Sequence, residues 1–326
     1  MKTIMITIAM VFAGHSCFSQ NIPSLLNKAI NSHLEGKYKK SNRFCNKIIG
    51  VDPENETALK LRAQNSNIIK NPNGKIEDYS ISINFYKTKT KEALVMLGVS
   101  KLKLDNPKEA LEHFNAAIKI DNKNPETYYY RAISKNLMND KNGAIKDCNK
   151  ALLFKSEHIS ALNLRGEIFF ATGKINEAIQ DFTKIISIDK TNILALNNRG
   201  KAFFSCGKVK EAIMDYNNAI LINNKFPEIY YNRSIAKCEL HEYEDAIIDL
   251  NRVAFLEPGN SDALNARGLA KMMIKDYYGA IDDFSCAIDR MPYEQDGYLN
   301  RGNLLMNLGK KNLAEIDLIN ASIKCE

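Results

Sequence analysis

At 326 residues, with 45% hydrophobic and 25% charged side chains, the chain has the composition of a folded protein with room for about two ordinary domains. That excludes a disordered or low-complexity polymer. The formal net charge of +7 is spread without a Lys/Arg block, so it points to a solvated surface of mixed charge rather than to a nucleic-acid partner.

The chain opens with Lys2, the uncharged and mostly apolar run Thr3 to Gly14, and then Ser16, Cys17 and Ser19, the order of a secretory signal peptide. The apolar run is about half of the ~20 residues that span a bilayer. Loss of residues 1–19 and export to the periplasm, the cell envelope or the medium are therefore expected. The alternative makes Cys17 the lipid-bearing first residue of an envelope-anchored protein, although Gly14 stands where a lipobox carries a Leu-like residue. No later stretch resembles a transmembrane segment, so the mature chain is not expected to insert into a membrane.

Residues 20–53 carry a first two-helix pattern, with Gly36-Lys37-Tyr38 at its turn and Asp52-Pro53 at its end. Residues 54–90 read as a degenerate copy. Arg62 lies where the pattern asks, but Asn71-Pro72-Asn73-Gly74 stretches the turn. Residues 91–326 then hold seven regular copies of 34 residues.

Arg131, Arg165, Arg199, Arg233, Arg267 and Arg301 mark that period without a slip, each followed by Ala, Gly or Ser. Alanine stands thirteen residues beyond every one of them, at Ala144, Ala178, Ala212, Ala246, Ala280 and Ala314. Small residues on both helices of a copy are expected to face each other and let the pair approach closely. Larger apolar residues recur at spacings of three, four and seven around these positions, which places them on one helix face. Gly173, Gly207 and Gly309 fall at the interhelical turn, where a left-handed residue ends a helix at little cost.

Each arginine has an acidic companion sixteen residues on: Asp147, Asp181, Asp215, Asp249, Asp283 and Asp317. The copy at Lys91 to Asn122 lacks both members, with Leu97 and His113 in their places. Six ion pairs within the copies follow, bidentate where geometry allows. As exposed pairs each would contribute at most about 1 kcal/mol. In the last copy Glu315 and Ser322 replace residues that are mostly isoleucine elsewhere, as a polar end-cap would. Six cysteines fall in different copies, so buried single thiols are expected; Cys206 and Cys238 are the pair best placed to bridge.

A helix-turn-helix of this length with small residues at these offsets resembles the tetratricopeptide repeat family. The resemblance implies an all-α fold, a solenoid superhelix of stacked antiparallel helix pairs whose first helices line a concave side. It also implies a non-enzymatic scaffold that binds a protein or peptide in that groove. Residues two before each arginine would then face the partner: Tyr129, Asn163, Asn197, Tyr231, Asn265 and Leu299. So would those five after it: Asn136, Phe170, Phe204, Cys238, Met272 and Met306. Amides can hydrogen-bond an extended backbone, while aromatic and Met side chains give adaptable apolar contact.

Some family members grip a C-terminal carboxylate with basic residues on this face. Asn198, Asn232 and Asn300 match the asparagine of that motif, but no Lys or Arg stands two before any of the arginines, so such a clamp is not expected. An enzyme bearing a repeat arm is the competing class. Against it, residues 54–90 are too few for a catalytic domain, and the five histidines show no ligand spacing. No phosphate loop or nucleophile elbow occurs, so no catalytic residue, cofactor or metal is expected. The sequence fixes neither the partner's identity nor an oligomeric state.

Overall fold

The structure, a computed structural model, describes residues 21–53, 55–69 and 91–323. The leader with Cys17, the stretched turn at Asn71 to Gly74, and Cys325 lie outside the described residues. Seventeen helices and no strand occur among the described residues, an all-α helical-repeat solenoid. No described helix is long and apolar enough to cross a membrane. The chain divides after Ala161 into two compact units, and the helix Ile159–Ala171 contains the division.

The first unit holds Ile22–Leu34, Tyr38–Val51, Glu56–Ile68, Lys91–Lys103, Pro107–Ile120, Pro125–Leu137 and Lys141–Phe154. The second holds Ile175–Ile188, Ile193–Ser205, Val209–Ile222, Pro227–Glu239, Tyr243–Leu256, Ser261–Met273, Tyr277–Arg290, Gln295–Asn307 and Lys311–Ile323. From Lys91 onward, first helices and second helices each begin every 34 residues, so the period of the sequence is also that of the backbone.

The turns explain how so regular a register is kept. At each interhelical turn one residue has φ between +55° and +77°: Gly36, Asp105, Asn139, Gly173, Gly207, His241, Lys275 and Gly309. Gly173 N–H donates to the Phe170 carbonyl at 3.1 Å and Lys174 N–H to that of Phe169 at 2.8 Å, and the same pair of bonds closes the other turns. This is the Schellman arrangement, which satisfies carbonyls that the helix end leaves open. Asn124, Asn192 and Asn260 cap first helices by accepting from the backbone N–H three residues on.

Within a copy, close packing works differently from a small residue facing a small one. A Cβ on Gly166, Gly200 or Gly268 would sit 2.5–2.7 Å from the ring of Phe182, Tyr216 or Phe284, seventeen residues after the arginine and four after its alanine. The glycine makes room for a ring that fills the space between the helices. In the same register Ala132 is matched with Cys148 and Ser234 with Leu250. A ring thus stands only where the first helix carries glycine, although a Cβ on Gly302 would meet Leu318 instead, at 3.1 Å. The alanines of the second helices are fully buried beside these pairs.

All six Arg–Asp pairs are bidentate. Nε meets one carboxylate oxygen at 2.8–2.9 Å and the second guanidinium nitrogen meets the other at 2.5–2.8 Å. The aspartates are 1–5% exposed, so these are not surface pairs, and the small contribution expected of exposed pairs does not apply. The third guanidinium nitrogen reaches back sixteen residues to a polar side chain on the preceding second helix. Arg131 meets Asn115, Arg199 Thr183, Arg233 Asn217, Arg267 Asn251 and Arg301 Ser285. Arg62 of the degenerate copy reaches Asn46 in the same way. Arg131, Arg199, Arg233, Arg267 and Arg301 are thus each ion-paired within their own copy and hydrogen-bonded to a neutral side chain of the preceding one.

At the last helix Glu315 and Ser322 are exposed, but so are Leu313, Ile316 and Ile319, at 55–57%. Its outer surface is therefore less polar than an end-cap would require. No disulfide links the described cysteines: Cys45 and Cys148 are buried, Cys238 is partly buried, and Cys206 and Cys286 are exposed.

Candidate functional site

The second unit contains a pocket of about 370 Å³ on the side formed by first helices. Pro227–Glu239 supplies Tyr231, Ile235 and Cys238, and Tyr243 opens the next helix. Ser261–Met273 contributes Asp262, Asn265, Leu269, Met272 and Met273, and Gln295–Asn307 contributes Asp296 and Asn300. The lining is mostly apolar, and its charged members are two exposed carboxylates, Asp262 and Asp296. Burial pushes the Cys238 thiol above its ordinary pKa and, together with the charge of Asp262, raises that of the Tyr231 phenol.

Asn265 is the notable polar group. It is 8% exposed, and its Oδ1 has no hydrogen-bond partner. Two repeats earlier the corresponding Asn197 is just as buried, yet its amide is occupied. Its Oδ1 accepts from Asn232 Nδ2 at 3.0 Å and its Nδ2 donates to Glu228 Oε1 at 3.1 Å. Lys201 Nζ lies 3.5 Å from the same carboxylate oxygen.

Of the residues expected to face a partner, Tyr231, Asn265, Cys238 and Met272 come together in this pocket. The others do not. Asn163 is occupied by Glu167 at 2.8 Å and by Asn198 at 3.4 Å, and Asn197 is buried as described. Phe204 is partly buried, packs against the cluster of Leu196, Ala212, Tyr216 and Ile229, and does not line the pocket. Phe170 is partly buried and does not line the pocket. Tyr129 lies in the first unit, its ring 5.2 Å from those of His158 and Tyr130. A continuous row of groove residues is therefore not what forms. Asn197 is closed by the first helix of the following repeat, whereas Asn265 keeps Oδ1 open although Asn300 and Asp296 stand at the positions of Asn232 and Glu228.

Leu269, Met273 and Tyr243 carry no mark of the site in the sequence pattern, and Asn300 stands out there only as part of a motif whose basic residues are missing. For Asp262 and Asp296 the available signal was an acid five residues before the arginine in three consecutive copies: Glu228, Asp262 and Asp296.

In the first unit, His158 is 4% exposed and caps the helix it precedes, its Nδ1 accepting from Ala161 N–H at 3.3 Å. Its Nε2 lies 3.2 Å from Glu126 Oε1. Burial nevertheless outweighs that carboxylate and holds the ring below its ordinary pKa.

Comparison with known proteins bears on the family. A model described as TPR repeat matches residues 166–205 and 200–237, and a model described as tetratricopeptide repeat matches residues 91–124. No curated protein sequence matches the chain. A tetratricopeptide repeat protein from Parabacteroides merdae is 18% identical with a TM-score of 0.57, over 82% of this chain and 98% of that one. A chain of the APC/C hetero-tetramer Cut9-Hcn1 is 19% identical with a TM-score of 0.59, over 86% of this chain and 55% of that one. YrrB, a TPR protein with an unusual peptide-binding site, is 20% identical with a TM-score of 0.50, over 57% of this chain and 96% of that one. At these identities the likeness is one of fold. With the family-model matches falling on helix pairs of the 34-residue period, the chain is a tetratricopeptide-repeat protein.

Proposed function

We propose that this chain is a non-enzymatic, exported scaffold that holds a peptide segment of a partner protein against the first helices of its second unit. The carrying observation is the pocket around Asn265, with its open amide oxygen set among apolar side chains. A volume of about 370 Å³ suits one or two side chains of an extended segment, and the amide suits its backbone. The likeness to YrrB, a TPR protein with a peptide-binding site, supports the reading. So does the state of Cys238, which burial keeps toward the unreactive protonated thiol.

Affinity capture from envelope extracts tests this, comparing the mature chain with a variant carrying Tyr231→Ala and Met272→Ala. A partner recovered by the first and lost by the second is expected; equal recovery by both discards the pocket as the binding site. Export rests on the order of residues in the leader, and mass measurement of the mature N-terminus tests it. A free Gln20 is expected, a lipid-modified Cys17 would mean the envelope-anchored alternative, and a retained leader would overturn export.

A further inference from the structure

We infer that the pocket around Asn265 selects a cation: a lysine or arginine side chain flanked by aliphatic residues, presented by an extended segment of the partner. This rests on the peptide-binding reading above and goes further in naming what is recognised.

Two registers of the same repeat carry the inference. In the upstream one, the acid in the first turn of a first helix, Glu228, is met by Lys201, 27 residues earlier, and by the amide of Asn197. That register closes on itself. In the pocket the acids are Asp262 and Asp296, and the positions 27 residues earlier hold Ile235 and Leu269. The cation is replaced twice by an aliphatic side chain. The lining contains no lysine, arginine or histidine, so two carboxylates share a mostly apolar pocket without a counter-charge there.

The amide repeats the contrast. Asn197 spends its Oδ1 on Asn232, whereas Asn265, in the equivalent place, keeps Oδ1 unpartnered although nine-tenths buried, with Asn300 also in the lining. A buried acceptor left open costs free energy unless a donor reaches it. The pocket thus offers one buried acceptor, two exposed carboxylates, and the apolar surfaces of Ile235, Leu269, Met272 and Met273. An ammonium or guanidinium supplies donors to the oxygens, and its aliphatic stem and neighbours cover the apolar wall. Its charge also complements the pocket within a chain whose overall charge is +7, so the selectivity is local.

The test uses short fluorescein-labelled peptides and fluorescence anisotropy on the mature chain: one alternating Lys and Leu, one with Glu in place of Lys, one with Ser in place of Leu. The Lys-Leu peptide is expected to bind best. Asp262→Asn with Asp296→Asn should weaken it about tenfold and flatten its salt dependence. The sharper variants are Ile235→Lys and Leu269→Lys, which rebuild the closed register of Lys201 and Glu228. Each should abolish binding of the Lys-Leu peptide while leaving the thermal transition in place.

Equal binding of the Glu-Leu peptide, or full binding by the Lys variants, overturns the cation inference. The peptide-binding reading survives that outcome if Tyr231→Ala with Met272→Ala still abolishes binding of whichever peptide is held. Should no peptide from a random display library bind in a manner sensitive to those two substitutions, the peptide-binding reading itself fails.

Discussion

At the scale of single residues, the buried carboxylates of the second helices decide most. An aspartate that is 3% exposed, such as Asp215, is tolerable because Arg199 occupies both of its oxygens. Arg199→Leu leaves that charge buried without its counter-ion and should destabilise the fold by about 3 kcal/mol in chemical denaturation. Arg233→Leu should cost less, because Lys237 Nζ stays 2.8 Å from Asp249. If Arg199→Leu left stability intact and abolished ligand binding instead, the arginines would be a ligand ladder and not a structural one. His158 supplies a pH dependence of known sign. Its pKa is lowered in the fold, so the unfolded chain binds the proton more readily. The stability it contributes is complete above the ordinary value of 6.5 and is lost as pH falls toward the folded value. Thermal melts of the wild type should decline below about pH 6.5, and His158→Gln should flatten that slope.

At the scale of helices and turns, two features of the repeat make separable predictions. Lys275 holds φ at +66°, a region that costs an L-residue free energy which glycine avoids. Lys275→Gly should therefore raise stability by about 1 kcal/mol in the same denaturation assay. Packing between the two helices is set by the glycine and ring pairs. A methyl group on Gly268 would lie 2.5 Å from Phe284, so Gly268→Ala should cost about 1–3 kcal/mol. Adding Phe284→Leu should recover part of the loss, since Ser234, also larger than glycine, already stands with Leu250 elsewhere in the chain. Independent, additive losses in the double variant would show that the two residues are not coupled.

At the scale of the whole molecule, a stack of like modules stores its stability in neighbouring contacts, not in one core. Hydrogen exchange on Gly268→Ala should accelerate most in Ser261–Met273 and Tyr277–Arg290, less in the helices beside them, and not at all in the first unit. Uniform acceleration along the chain would mean that it unfolds as a single cooperative body.

The sequence by itself settled the class of fold, the period and the partners of the ion pairs. Those depend on residues at fixed offsets, and many copies in one chain let each offset be read repeatedly: six arginines, six aspartates and the left-handed turn glycines all stand where the helices need them. It was less informative about which first-helix residues stay open. Asn163, Asn197 and Asn265 occupy one position of the repeat and cannot be told apart by offset. Only the tertiary structure separated them, because an asparagine and an acid stand at the same two positions of the following helix in both cases, Asn232 with Glu228 and Asn300 with Asp296, and close only one of the two amides. Asn232 and Glu228 close Asn197, whereas Asn265 keeps an oxygen without a partner. The same holds for Gly166, Gly200 and Gly268, whose partner proved to be a ring and not an alanine. Local periodicity fixes where a side chain leaves its helix; what it meets there is set by the neighbouring module.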